Sequence, residues 1–149
     1  ALAAELRART ELGDDLEWSP LTLNDEPRAG VMFVVGEEPL DGESGRLFDK
    51  LLSAIGLSRP AVEVARCSEV LRDPTVTSRR KALVALGDRP ARGLLASEEG
   101  IGRLRGRWHD FAGTPLLVTY HPAALLRDEN LKRDVWEDMK TLKRTLETP

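Results

Sequence analysis

Four short apolar runs, separated by amphipathic stretches, constrain this chain more than any other feature. Val31-Met32-Phe33-Val34-Val35 stops at Gly36 and Ala82-Leu83-Val84-Ala85-Leu86 stops at Gly87. Both are continuously apolar, as strands covered on two faces read. Val62-Glu63-Val64-Ala65 is β-branched enough for a shorter strand, and Pro115-Leu116-Leu117-Val118-Thr119-Tyr120 supplies a fourth. From Ser44, a good N-cap, Leu47, Phe48, Leu51, Leu52 and Ile55 recur at helical spacing until Gly56. Asp88 reads as the cap of a helix that tolerates Pro90 in its first turn, and Asp128 as the cap of a last helix striped by Leu131, Val135, Met139, Leu142 and Leu146. Strands alternating with helices imply an α/β fold, a three-layer α/β/α sandwich with a four-stranded parallel sheet. In such sheets ligands bind beyond the carboxyl ends of the strands, so the segments after Val35, Ala65, Leu86 and Tyr120 are the places to look for function.

A length of 149 residues suits one domain over 1–149. Within it, Leu2, Leu6 and Leu12 outline a short helix stopped by Gly13, and a Pro-bearing connector follows, so that 1–28 reads as an N-terminal helix and connector. No apolar run approaches the roughly 18 residues of a membrane span. Cys67 with His109 and His121 is too thin a supply for a structural zinc or iron–sulfur site, and no metal site is expected. The segment Ala1–Arg7 mixes acidic and basic charge without an export pattern, and a lone cysteine fits a reducing compartment, so the expected location is cytoplasmic. The net charge of −3 hides an asymmetry: residues 1–65 carry 6 basic and 13 acidic side chains, residues 66–149 carry 16 basic and 12 acidic. Half of the chain is suited to facing a polyanion, or simply to solvent.

Three segments carry candidate chemistry. After the first strand, Gly36-Glu37-Glu38-Pro39-Leu40-Asp41-Gly42-Glu43 surrounds a turn with carboxylates, able to orient a water and hold a small polar ring; an acidic solvated loop serving a helix start is the simpler alternative. After the fourth strand, His121-Pro122 leads to an apolar tip, Leu125-Leu126, followed by Arg127. Such a tip suits a wedge between stacked bases, with Arg127 meeting phosphate and His121 donating a hydrogen bond to an anion forming on a flipped base; a packed corner with a capping histidine fits equally. Between them, Arg103, Arg105 and Arg107 beside Gly106 and Trp108 form a candidate phosphate track, although Trp108 and Trp136 read more simply as core or rim aromatics. Gly100, Gly102 and Gly106 lack the spacing of a dinucleotide or P-loop turn, and no nucleophile elbow is present.

The ordered set from Ala82 to Leu142, with ALVALGDRPARGLL, IGRLRGRWHDFAGTPLLVTYHPAALLR and LKRDVWEDMKTL, resembles the C-terminal half of bacterial uracil-DNA glycosylases of the iron–sulfur type. Upstream, VMFVVGEEP and SGRLFDKLLSAIGLSR resemble that family's first strand and following helix. The resemblance implies the same α/β/α sandwich, a uracil pocket over Gly36, Glu38, Pro39 and Glu63, catalytic roles for Glu37 and His121, and a DNA-intercalating loop over Pro122, Leu125, Leu126 and Arg127. It also marks departures. The family's longer loop, whose aromatic stacks on the flipped uracil, is here a direct run from Pro39 into Asp41. Glu63 stands where the family has the asparagine that reads the uracil edge, and a carboxylate cannot donate the hydrogen bonds an amide can. Cys67 matches one cluster ligand, the helix bearing another is shortened to 68–81, and no iron–sulfur cluster is expected.

The expectation from these residues is a degenerate uracil-DNA glycosylase-like monomer that binds DNA, with single-stranded DNA as a candidate form, in repair or replication without efficient base excision. An active minimal glycosylase is the first alternative, with Glu37 orienting water and His121 stabilising the leaving uracil anion. The second is a protein-interaction subunit similar to the psi subunit of the replicase clamp loader, docking through residues 1–28 with Leu16, Trp18 and Leu21.

Overall fold

The computed structural model describes residues 30–147. The expected strands are present as β1 (Val31–Val35), β2 (Glu63–Arg66), β3 (Ala82–Leu86) and, preceded by a further strand β4 (Trp108–Phe111), β5 (Thr114–Thr119). Their order is β2-β1-β3-β5-β4, with β2, β1, β3 and β5 mutually parallel and β4 antiparallel to β5. The four-stranded parallel sheet is therefore the core of a five-stranded mixed one. β4 and β5 form a hairpin in which Phe111 faces Thr114 across Ala112 and Gly113, at φ 52° and 88°. Two positive φ values are what a tight hairpin with the twist of its strands requires, and Ala-Gly is a poor advertisement for it beside Asn-Gly or Asp-Gly.

Helices α1 (Gly42–Ala54), α2 (Cys67–Arg72), α3 (Asp88–Leu95), α4 (Ile101–Leu104), α5 (Pro122–Arg127) and α6 (Lys132–Glu147) cover both faces. Alternation along β1 sorts them. Val31, Phe33 and Val35 pack with Phe48 and Leu52 of α1 and with Val135, Met139 and Leu142 of α6. Met32 and Val34 pack on the opposite face with Val70 of α2, Ala91 and Leu94 of α3 and Leu104 of α4. Full burial of such side chains contributes about 1.5–3 kcal/mol each, which makes the central strands the stable frame on which the loops at their ends are mounted. Phe33 meets Phe48 edge to face, with ring centroids 4.9 Å apart, fixing how α1 sits on the sheet.

Three helix starts differ from the sequence expectation. Asp41, not Ser44, is the N-cap of α1, and Ser44 is buried with its hydroxyl donating to the Asp41 carbonyl at 2.8 Å. Gly87 occupies the N-cap of α3 and Asp88 its first turn. Asp128 caps a single 3-10 turn over Glu129–Leu131 that runs into α6. No described helix is long and apolar enough to cross a membrane. The helix and connector expected over 1–28 lie outside the described residues.

Candidate functional site

The chain leaves β1 toward β2 on one side and returns to place β3 on the other, so the carboxyl ends of β1 and β3 form the switch point where open α/β sheets bind ligands. A cleft of about 410 Å³ lies there. The loop after β1 supplies Gly36, Glu37 and Glu38, the turn after β3 supplies Gly87 to Pro90, and Tyr120, His121, Ala124 and Arg127 close it from the end of β5 and from α5. Gly87 has φ 109° and ψ 171°, a region open almost only to glycine, and its N–H donates to the Thr119 carbonyl at 2.9 Å. That turn lets β3 and β5 end side by side, with Gly87 against the His121 side chain.

His121 is the best-defined group of the cleft. It is the N-cap of α5 and only 3% exposed. Nδ1 accepts the Ala123 backbone N–H at 2.9 Å, which leaves the proton of the neutral ring on Nε2, donated to the Glu38 carbonyl at 3.2 Å. Burial pushes the imidazole below its ordinary value, against the opposing pull of the Glu38 carboxylate, so the ring is neutral at pH 7. It is thus a neutral donor, suited to stabilising a nearby developing anion but not to acting as a cation.

The carboxylates beside it are paired. Glu38 meets Arg127 at 3.2 Å, and Glu37 meets Arg89 at 3.3 Å while remaining 89% exposed. Asp88 accepts the Ile101 backbone N–H at 3.0 Å and pairs with Arg92 at 3.2 Å, so it fixes α4 to the start of α3. Sequence reasoning assigned Asp88 a capping role and missed Arg89, Pro90 and Tyr120 as cleft residues, although all follow strands whose carboxyl ends pointed to the site.

The other expected site residues separate. Pro39 is exposed at the rim and outside the cleft lining, where its carbonyl receives the Ser44 hydroxyl at 3.3 Å. Glu63 does not belong to the cleft: it stands at the amino end of β2, about 10 Å of strand away from the carboxyl edge. There it forms an ion pair with Arg80, whose Nη2 donates to it at 3.0 Å. It is Arg66 and Cys67, at the other end of β2, that reach a neighbouring cleft of about 400 Å³ shared with Glu37 and Arg89.

Along the wedge segment, Pro122 is buried at the first position of α5 and Leu125 is 1% exposed in the core, whereas Leu126 is 48% exposed. Leu125 is therefore excluded as a wedge, because α5 packs that side onto the sheet and α1. The arginine track also divides. Arg103 and Arg107 are exposed, but Arg105 turns inward, donating from Nε and Nη2 to the Asp138 carboxylate at 3.1 and 2.7 Å and from Nη2 to the Asp134 carbonyl at 3.1 Å. Asp138 is 1% exposed and also accepts the Thr119 hydroxyl at 2.6 Å. Arg105 is a structural tie between the α4–β4 connection and α6, not a phosphate ligand.

These features define an α/β/α sandwich protein with a switch-point cleft, a buried neutral histidine at its wall and an apolar tip beside it. Residues 23–140 match the family model of the Uracil DNA glycosylase superfamily, and the chain belongs to that superfamily.

Proposed function

We propose that this protein is a uracil-DNA glycosylase-fold DNA-binding protein, acting in repair or replication on single-stranded DNA, without efficient base excision. One observation carries the reading: the polar groups of the cleft that chemistry would need are already committed to one another. Glu38 engages both the His121 Nε2–H through its carbonyl and Arg127 through its carboxylate. Glu37, the group that would orient water, is exposed and paired with Arg89. Among the described residues, no asparagine or glutamine lines the cleft to read a uracil edge. Leu126, at the exposed tip of α5, serves as the wedge; Arg127 at the cleft mouth exchanges its exposed, weak pair with Glu38 for a phosphate, and Arg103 and Arg107 on the surface supply further phosphate contacts.

We read the sequence motifs as similar to the iron–sulfur type of the superfamily, and the residues present do not fit a cluster. Cys67 is the single cysteine of the sequence, and among the described residues no group of three or more His, Cys, Asp or Glu converges. Its sulfur packs against α3, so that a Cβ on Gly93 would stand 3.1 Å from it, and burial pushes the thiol above its ordinary range, opposing the thiolate a metal needs. No step of the proposed function passes through a cluster.

A second reading has its own support. The neutral His121 with its proton on Nε2 is the form that could stabilise a leaving uracil anion, if Glu38 were displaced by an entering base.

DNA binding by this surface predicts that Arg103→Gln, Arg107→Gln and Arg127→Gln combined lower the slope of log affinity against log salt by about 2 for a single-stranded oligonucleotide. Fluorescence anisotropy across a salt series measures it. An affinity independent of salt in the unsubstituted protein, or an unchanged slope in the triple variant, contradicts the reading.

A further inference from the structure

α5 is a ridge with two sides. Ala124 and Arg127 face the cleft, while Leu125 and Leu126 wall a second groove, of about 350 Å³, whose opposite bank is α1. That bank carries Arg46 and Lys50, four residues apart and therefore on one face of α1, about 6 Å apart along its axis. Both are exposed, and among the described residues neither is ion-paired. Lys132, at the start of α6, completes a set of three cations but is paired with Glu129 at 3.1 Å, and Glu43 is the remaining carboxylate of the groove. Two uncommitted cations aligned along a groove lined by Leu47 and the exposed Leu126 make a surface that a chain of phosphates can follow while sugars rest on those two side chains.

We infer that this groove is a phosphate-binding track for single-stranded DNA, holding the backbone on the far side of α5 from the nucleotide whose base faces the cleft. The inference rests on the DNA-binding reading above and adds to it a site and a direction. A strand that crosses the α5 ridge at the exposed Leu126 passes from Arg127 on the cleft side to Arg46 and Lys50 on the groove side. A base turned toward the cleft must leave its flanking phosphates at the rim, and on this side of α5 the rim offers two cations, Arg46 and Lys50, aligned along one helix face.

The test is anisotropy of the full chain with a labelled single-stranded oligonucleotide from 0.1 to 1 M salt, comparing the unsubstituted protein with Arg46→Gln/Lys50→Gln. Both side chains are exposed, so the fold is retained, which circular dichroism checks. Two lost phosphate contacts lower the log–log slope by about 1.4 and the affinity by about 25-fold at 0.1 M salt, the difference shrinking toward 1 M. Glu43→Gln, which removes a carboxylate from the same groove, shifts affinity the opposite way. If the unsubstituted protein binds with its salt dependence and the double variant matches it, the track is wrong and the DNA-binding reading stands. If the unsubstituted protein does not bind at all, both fall together.

Discussion

Arg105→Ala lowers the unfolding free energy by about 3–5 kcal/mol at neutral pH, the largest effect expected of any described arginine. The reason is what remains behind. Asp138 is 1% exposed, and without Arg105 it keeps only the Thr119 hydroxyl as a partner. Burial already pushes the Asp138 carboxyl above its ordinary value of 3.8, and the Arg105 hydrogen bonds are among the contacts that hold it down. Their removal raises it further. A carboxyl whose folded pKa exceeds its unfolded one destabilises the fold most when ionised, so the loss is complete above the folded pKa and shrinks as pH falls through it toward 3.8. Urea unfolding of the variant at pH 7 and at progressively lower pH reads both parts: a stability gap that narrows on acidification. A gap under 1 kcal/mol at pH 7 would instead place Arg105 back on the free surface, available to DNA.

Gly87→Ala costs about 1–3 kcal/mol, from the backbone and not from crowding. Its φ of 109° with ψ of 171° is nearly closed to any residue with a Cβ, while that Cβ would find His121 at an ordinary 3.6 Å. Relaxing the turn pulls the Gly87 N–H from the Thr119 carbonyl and shifts the wall on which His121 stands. Gly36 offers the contrast on the same cleft, since its φ is not in the left-handed region and an added Cβ meets the Pro90 Cδ at 3.4 Å and the Arg89 Cβ at 3.7 Å, ordinary contacts. Thermal unfolding of the two alanine variants separates conformational strain from contact: a large loss at 87 and a small one at 36. Equal losses at both positions contradict the assignment.

How much of this was legible in the residues follows from how each side chain meets its surroundings. β1 and β3 were legible because a strand with helices on both faces must be apolar at every position, and VMFVV and ALVAL are. β4 was not, because Trp-His-Asp-Phe lies at the sheet edge, half-buried, and its hairpin turn is Ala-Gly. The cleft was legible at His121, Glu37, Glu38 and Arg127, since strand ends locate ligand sites in this architecture. Glu63 was misplaced because alignment to a resembled motif says nothing of which end of a four-residue strand a side chain occupies. Leu125 and Leu126 are chemically identical neighbours, and only the packing of α5 separates the buried one from the exposed one. Arg105 carried a signal that went unread: Asp138 falls on the apolar stripe of α6 with Val135, Met139 and Leu142, and a carboxylate on such a stripe needs a buried partner.

On the proposed reading, this protein keeps the superfamily fold with a cleft that does not efficiently excise uracil. Single-turnover release of uracil from a labelled single-stranded oligonucleotide, with protein in excess, tests it most directly, beside Glu37→Ala/His121→Ala as control. DNA is expected to bind, and uracil to be released no faster than in the control. Release that is fast in the unsubstituted protein and lost in the control contradicts it, and makes His121 and Glu37 the working groups of a minimal glycosylase.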